Sequence, residues 1–226
     1  MLDFDLLKRI TVICGHYGSG KTNFSLNLAV DMAQHNKKVT VVDLDIINPY
    51  FRSSDYKKFL ENKKVNIIVP KYAGTNLDTP ALSAEIDSVF DKENTHIIFD
   101  VGGDDAGAFA LGRYADKLNQ SGYSFIYLVN KYRSLIQTPE LAVEMLQDIT
   151  RACRLVPSYV VNNSHLQYET TAETILEAMT YGSDVAGQLQ LPLLCTTAPS
   201  QLKENTLLKD CDLYFVDPIV QVPFRI

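Results

Sequence analysis

The chain has 226 residues, 46% of them hydrophobic and 21% charged, with a formal net charge of -6 at pH 7. That length and apolar share can bury a full core, which excludes an extended disordered chain. The acidic balance argues against a nucleic-acid partner, because surfaces that track a phosphate backbone are basic.

The opening segment carries Asp3 and Asp5 and does not read as a signal peptide. The longest apolar runs are strand-sized, far short of a membrane span. The closing segment, residues 214–226, has two prolines and one basic residue, so it is no basic amphipathic helix. No membrane partner is expected, and a cytoplasmic location is. Cys14, Cys153, Cys195 and Cys211 show no C-x-x-C spacing, so they are expected to pack in the core.

Taken in order, short β-branched runs fall at residues 10–14, 38–42, 65–69, 96–101, 125–129, 159–161 and 193–196. They are nearly continuous in hydrophobicity, as strands covered on both faces are. Between them lie segments of helical period. Residues 23–34 carry Phe24, Leu28 and Met32 on one face. Residues 139–153 begin with Thr138 as an N-cap and Pro139 at the first helical position. Residues 169–189 form another amphipathic segment, with Gly182 a point where it can break. The expected fold class is α/β: a mostly parallel central sheet with helices on both faces, in three layers. Residues 1–226 are expected to form one nucleotide-binding domain.

In such sheets ligands bind at the carboxyl ends of the strands. After the first strand stands Gly15-His16-Tyr17-Gly18-Ser19-Gly20-Lys21-Thr22, which fits G-x-x-x-x-G-K-[ST], the P-loop of nucleoside-triphosphate-binding proteins. Glycines let the backbone wrap a phosphate, the amides form an anion nest, and the following helix adds its positive end. Gly15, Gly18, Ser19, Gly20, Lys21, Thr22 and Asn23 are the expected nucleotide-binding set, with Lys21 on the β- and γ-phosphates and Thr22 on Mg²⁺. A Rossmann loop fits worse, since Asn23 fills its third glycine position.

Two strand ends are acidic. The second runs into Asp43-Leu44-Asp45 and the fourth into Asp100-Val101-Gly102-Gly103-Asp104-Asp105. A carboxylate delivered to the sheet edge beside a phosphate loop is what a Mg²⁺ site requires. Asp100 is the better metal acid. Asp43 and Asp45 share the remaining metal role, with Asp45 also orienting water. Gly103 presents its amide to the γ-phosphate. Asp104 and Asp105 could equally cap the next helix. Arg52, in the stretch Asn48-Pro49-Tyr50-Phe51-Arg52, could supply a further positive charge.

These elements together resemble the MinD/ParA-type P-loop ATPases, whose relatives include the nitrogenase iron protein. The resemblance runs over about residues 9–205 and adds Asn162-Asn163-Ser164 and Thr197-Ala198-Pro199-Ser200. It implies that Asn162, Asn163 and Pro199 hold the adenine, and that two chains form a homodimer. It departs at the loop. Family members reading K-G-G-x-G-K-[ST] send their first lysine across the dimer, whereas this chain has His16 and Tyr17 there.

Asn130-Lys131-Tyr132-Arg133 approaches the guanine motif N-K-x-D, but Arg133 cannot accept hydrogen bonds from guanine, so ATP is expected over GTP. Three functions stay open: a regulatory or assembly ATPase acting on a protein partner, a phosphoryl-transfer enzyme of the dethiobiotin-synthetase type acting on a small molecule, and a nucleotide-binding module with little turnover. A GTP-driven metallochaperone would need a histidine-rich stretch or C-x-x-C, and neither is present.

Overall fold

A β-branched residue fits a pleated surface buried on both sides, and the strand sequences consist largely of such residues. The computed structural model, described over residues 2–45, 53–69 and 84–220, contains eight strands. They are β1 (Ile10–Cys14), β2 (Val39–Leu44), β3 (Val65–Ile68), β4 (His96–Val101), β5 (Ser124–Val129), β6 (Tyr159–Asn162), β7 (Leu193–Pro199) and β8 (Leu213–Val216). Their order is β3-β2-β4-β1-β5-β6-β7-β8, and every neighbouring pair is parallel. A parallel pair needs a crossover, and the helices supply it. They are α1 (Lys21–Gln34), α2 (Lys57–Asn62), α3 (Ala84–Asp87), α4 (Asp105–Gly112), α5 (Ala115–Ser121), α6 (Pro139–Cys153) and α7 (Ala172–Leu189).

Period-two alternation sorts each strand's side chains onto two cores. Val12 and Cys14 of β1 and Phe99 and Val101 of β4 face the core shared with α4, α5, α6 and α7. Ile13 and Ile98 face the core shared with α1 and α2. Asp100 follows Phe99 and pairs with Ile13 on one side and Asp43 on the other. The same alternation therefore turns both carboxylates to the face that carries α1.

Strand β8 and helices α4, α5 and α7 depart from the expectation. Strand β8 escaped because its four residues, Leu-Tyr-Phe-Val, acquire strand character only by pairing with β7. Helices α4 and α5 escaped because seven or eight residues give too few turns for a clear period. Helix α7 runs unbroken through Gly182. There the missing side chain makes room for Asn162, whose Cβ would lie 2.5 Å from a Cβ at that position. The glycine is a packing contact, not a break.

Helix α1 is more deeply buried than its apolar stripe suggested, since Asn23, Ser25 and Asn27 are also covered. Asn27 exchanges two hydrogen bonds with the backbone of Asp217, at 2.9 and 2.7 Å. Asn23 adds bonds to the Asp217 carbonyl and the Val220 amide, at 3.1 and 3.0 Å. These four bonds strap the segment after β8 across α1. All four cysteines are free, Cys14 and Cys153 fully buried. No helix among the described residues is long and apolar enough to cross a membrane.

Candidate functional site

The loop between β1 and α1 lies at the carboxyl edge of the central strand, where the chain reverses its direction of travel across the sheet. Gly20 is the N-cap of α1 in the left-handed conformation, φ 97°, and offers no side-chain cap. The first amides of α1 are thus left for an anion. Gly15, at φ 156°, passes so close to the Leu128 carbonyl that a Cβ there would collide with it. Gly18 is also left-handed, at φ 72°. The buried Ser19 hydroxyl finds no partner.

Lys21 is buried, and its Nζ donates to the His16 carbonyl at 3.1 Å. Burial pushes its pKa down, opposed by the charges of Asp100 and Asp45. A Cβ on Gly103 would come within 2.6 Å of the Tyr17 backbone and 2.7 Å of the lysine Nζ. The Gly102-Gly103 turn therefore packs directly on the loop, and only glycine allows it. Asp104 closes this turn by capping α4, accepting from the Gly107 amide at 2.8 Å.

Beneath the lysine lies an oxygen-rich cluster. The Asp100 carboxylate accepts from Ser53 Oγ at 2.6 Å and Ser25 Oγ at 3.3 Å, and the Thr22 hydroxyl also bonds to it. Burial raises the Asp100 pKa, while the Ser53 bond and the Lys21 charge hold it down. Asp43 is buried beside it and accepts from the Asp45 amide at 3.0 Å. Asp45 Oδ1 lies 3.3 Å from the Cβ position of Gly102. Among the described residues no group of three or more His, Cys, Asp and Glu side chains could hold a metal ion by itself. A hydroxyl and a carboxylate in contact instead form a hard, incomplete oxygen set, which suits Mg²⁺ shared with phosphate oxygens.

A cavity of about 400 Å³ opens over residues 17–23 and includes Asp45. Its far wall is formed by Asn130, Arg133, Asn163, His165, Gln167 and Glu169. Asn163 ties this wall to the loop. Its Nδ2 donates to the Ser19 carbonyl at 2.7 Å, and its Oδ1 accepts from Thr197 Oγ1 at 2.5 Å. His165 Nε2 lies 3.0 Å from the same oxygen, and its Nδ1 accepts from the Gln167 amide at 3.2 Å. That accepting Nδ1 assigns the ring proton to Nε2. Burial, then the Arg133 charge, lowers the His165 pKa to about 4, so the ring is neutral at pH 7.

The expected residues divide accordingly. Gly18, Ser19, Gly20, Lys21, Thr22, Asn23, Asp45 and Asn163 line this cavity. Gly15 and Gly103 line a second one of about 340 Å³ on the other side of Tyr17, between the loop and α4 and α6. Asn23 spends its amide on the C-terminal strap. Asn162 is fully buried and donates to the Ala178 carbonyl of α7 at 2.9 Å. Pro199 ends β7 outside the cavity walls, beside the Ser200–Asp217 hydrogen bond. Arg52 and the stretch from Asn48 lie outside the described residues. His16 is held neutral first by burial, then by the charges of Lys21 and Arg133.

Sequence reasoning missed Ser25, Ser53 and His165. Ser25 could have been found, since it stands three residues after Thr22 on the same helix face. His165 carries no such signal, because its partners come from distant strands.

A family model described as the CobQ/CobB/MinD/ParA nucleotide binding domain, CbiA, matches residues 10–194. No curated protein matches the sequence. Among solved structures, the signal recognition particle 54 kDa protein from Aeropyrum pernix K1 in complex with GDP has a TM-score of 0.56 at 16% identity, over 83% of this chain and 40% of that one. Chloroplast FtsY from Physcomitrella patens has a TM-score of 0.56 at 11% identity, over 83% and 57%. FtsY from Thermotoga maritima has 0.54 at 12%, over 81% and 59%. At such identities the likeness is one of fold, and this chain spans 40 to 59% of the length of those three proteins.

Proposed function

Because this chain belongs to the CobQ/CobB/MinD/ParA nucleotide-binding domain family, we propose that it binds Mg-ATP in this cavity and hydrolyses it slowly, as a nucleotide-dependent regulatory or assembly switch. The observation that carries the reading is the convergence of a bare helix N-terminus, the buried Lys21, and the contact between Thr22 and Asp100. Loop amides and Lys21 hold the phosphates. Thr22 and Asp100, with Asp43 and Asp45 behind them, hold Mg²⁺, which neutralises phosphate charge when bound. Asp45 orients the attacking water, and the Gly103 amide contacts the γ-phosphate. Asn163 stands nearest the nucleoside, with Asn162 and Pro199 supporting that wall from behind. ATP is preferred over GTP, because the Asn130–Arg133 turn offers no carboxylate to accept hydrogen bonds from guanine. The chain acts in the cytoplasm as one domain and forms a homodimer.

Slow turnover follows from His16. A neutral imidazole stands where the resemblance calls for a lysine, and such a transition-state cation can be worth about a thousandfold. The rate of the protein alone should fall well below about 10 per second. The second cavity supports another reading. It runs from His16 and Tyr17 past Gly103 to Asp148, so it could seat a small phosphoryl acceptor beside the terminal phosphate.

Steady-state phosphate release, with sedimentation in a non-hydrolysable ATP analogue, tests the choice. Slow hydrolysis with nucleotide-dependent dimerisation supports the switch. Fast turnover by a monomer sinks it. Turnover that appears only with an added metabolite favours phosphoryl transfer. His16→Lys combined with Tyr17→Gly should raise dimerisation or hydrolysis.

A further inference from the structure

Among the described residues, Arg133 is a cation without a counter-ion. Its guanidinium lies over Gly18 of the loop, with Nε 3.3 Å and Cζ 3.5 Å from the position a Cβ would take there. The Nε–H is buried and has no hydrogen-bond partner among the described residues. No carboxylate lies within salt-bridge distance of this side chain among the described residues, although three other ion pairs are formed. The arginine lines the same 400 Å³ cavity as Lys21. Lys21 has Asp100 and Asp45 in electrostatic range, whereas the charge of Arg133 bears on the neutral rings of His16 and His165.

The backbone holds it there. Asn130 Oδ1 accepts from the Tyr132 amide at 3.0 Å, and the Asn130 carbonyl accepts from the Arg133 amide at 3.1 Å. The Tyr132 hydroxyl donates to the Thr174 carbonyl of α7 at 3.0 Å. The turn after β5 is thus pinned at three points, and its last residue reaches back over the loop. A partly buried, unpaired charge is costly unless something of opposite sign arrives. A planar fork of donors suits phosphate oxygens.

We propose that Arg133 is a second polyphosphate-binding cation, supplied by the chain itself, that closes over the loop at Gly18 and contacts the phosphate chain from the side opposite the helix. This rests on the phosphate-loop reading above and deepens it. Arg133 adds a cation for binding the polyphosphate from the end of β5, distinct from the transition-state cation that position 16 lacks, so tight binding of the polyphosphate needs no residue from a second chain.

Inorganic tripolyphosphate with Mg²⁺ is the probe, because it has phosphates and no base. Its affinity and that of Mg-ATP are measured by calorimetry for wild type, Arg133→Gln and Arg133→Lys, each checked by its melting temperature. Charged hydrogen bonds to phosphate of this kind correspond to about tenfold or more in affinity. Arg133→Gln should weaken tripolyphosphate and ATP alike by that factor, and Arg133→Lys should bind tripolyphosphate more tightly than Arg133→Gln. Weakened ATP with unchanged tripolyphosphate would make Arg133 a base-stacking residue and overturn the proposal. Two unchanged affinities would make it loop packing and overturn it as well, leaving the phosphate-loop reading intact. If wild type bound neither ligand, the phosphate-loop reading itself would fall.

Discussion

The two walls of the main cavity are built by opposite means. On one side seven consecutive residues, 17–23, curl into the start of α1, with Gly18 and Gly20 in left-handed backbone. On the other side Asn163, His165 and Thr197 form a chain of side-chain hydrogen bonds drawn from β7 and the segment after β6. The first wall is specified by local sequence. The second exists only once β6 and β7 have paired in register, Asn162 opposite Thr196. The walls are joined by the hydrogen bond from Asn163 to the Ser19 carbonyl. A contiguous anion nest and a long-range side-chain network should therefore respond differently to mutation.

The largest effect is expected at the local wall. Lys21→Ala should abolish ATP binding detectable by calorimetry while a cooperative melt survives, since the lysine faces the loop rather than either apolar core. Wild-type affinity in that variant would break the assignment of the wall to phosphate. Asp100→Asn comes next. It removes charge at nearly constant volume, so Mg-dependent hydrolysis should fall by about a hundredfold or more, with metal-free nucleotide binding unchanged or tighter. Unchanged magnesium dependence would reduce Asp100 to a buried anchor for Ser25 and Ser53.

The distal wall should show itself in pH dependence. His165 has an ordinary pKa of 6.5 in the unfolded chain and about 4 in the fold. The unfolded state therefore binds the extra proton first, and stability falls as pH drops. The contribution is fully present above 6.5 and is lost as pH falls through about 4. It amounts to at most about 3 kcal/mol. Urea titrations from pH 7 to about 4 should show a shallower decline for His165→Gln than for wild type. Parallel curves would mean that the ring is solvated rather than sealed in the wall.

The bond that joins the walls gives the finest test. Asn163→Ala leaves the Ser19 carbonyl and the Thr197 hydroxyl short of a partner, so stability should fall by about 1–3 kcal/mol and ATP affinity with it. Asn162→Ala should cost similar stability through the lost bond to α7, yet leave ATP affinity nearly unchanged, because that side chain is turned away from the cavity. Equal effects of the two on affinity would erase the distinction between wall and support.

Residues close in sequence carried their meaning in the sequence itself. Gly15, Gly18, Gly20, Lys21 and Thr22 lie within one turn of backbone, and conformational freedom at three glycines plus a helix start decides what that turn can hold. The strand runs likewise announced a parallel sheet, because burial on both faces leaves no polar alternation. Asp100 was legible as a strand-end acid. That it meets Thr22, Ser25 and Ser53 depended on which face of β4 it occupies and on α1 crossing that face. Asn162 and Asn163 were indistinguishable as neighbours on the chain. Strand alternation sends one toward α7 and the other toward the loop. Arg133 looked like a failed base reader by its place in Asn130-Lys131-Tyr132-Arg133, and only the fold of that turn sets it over Gly18. Local backbone chemistry is encoded within a few residues, whereas the direction of a side chain from a distant strand is decided by pairing, twist and packing of the whole sheet.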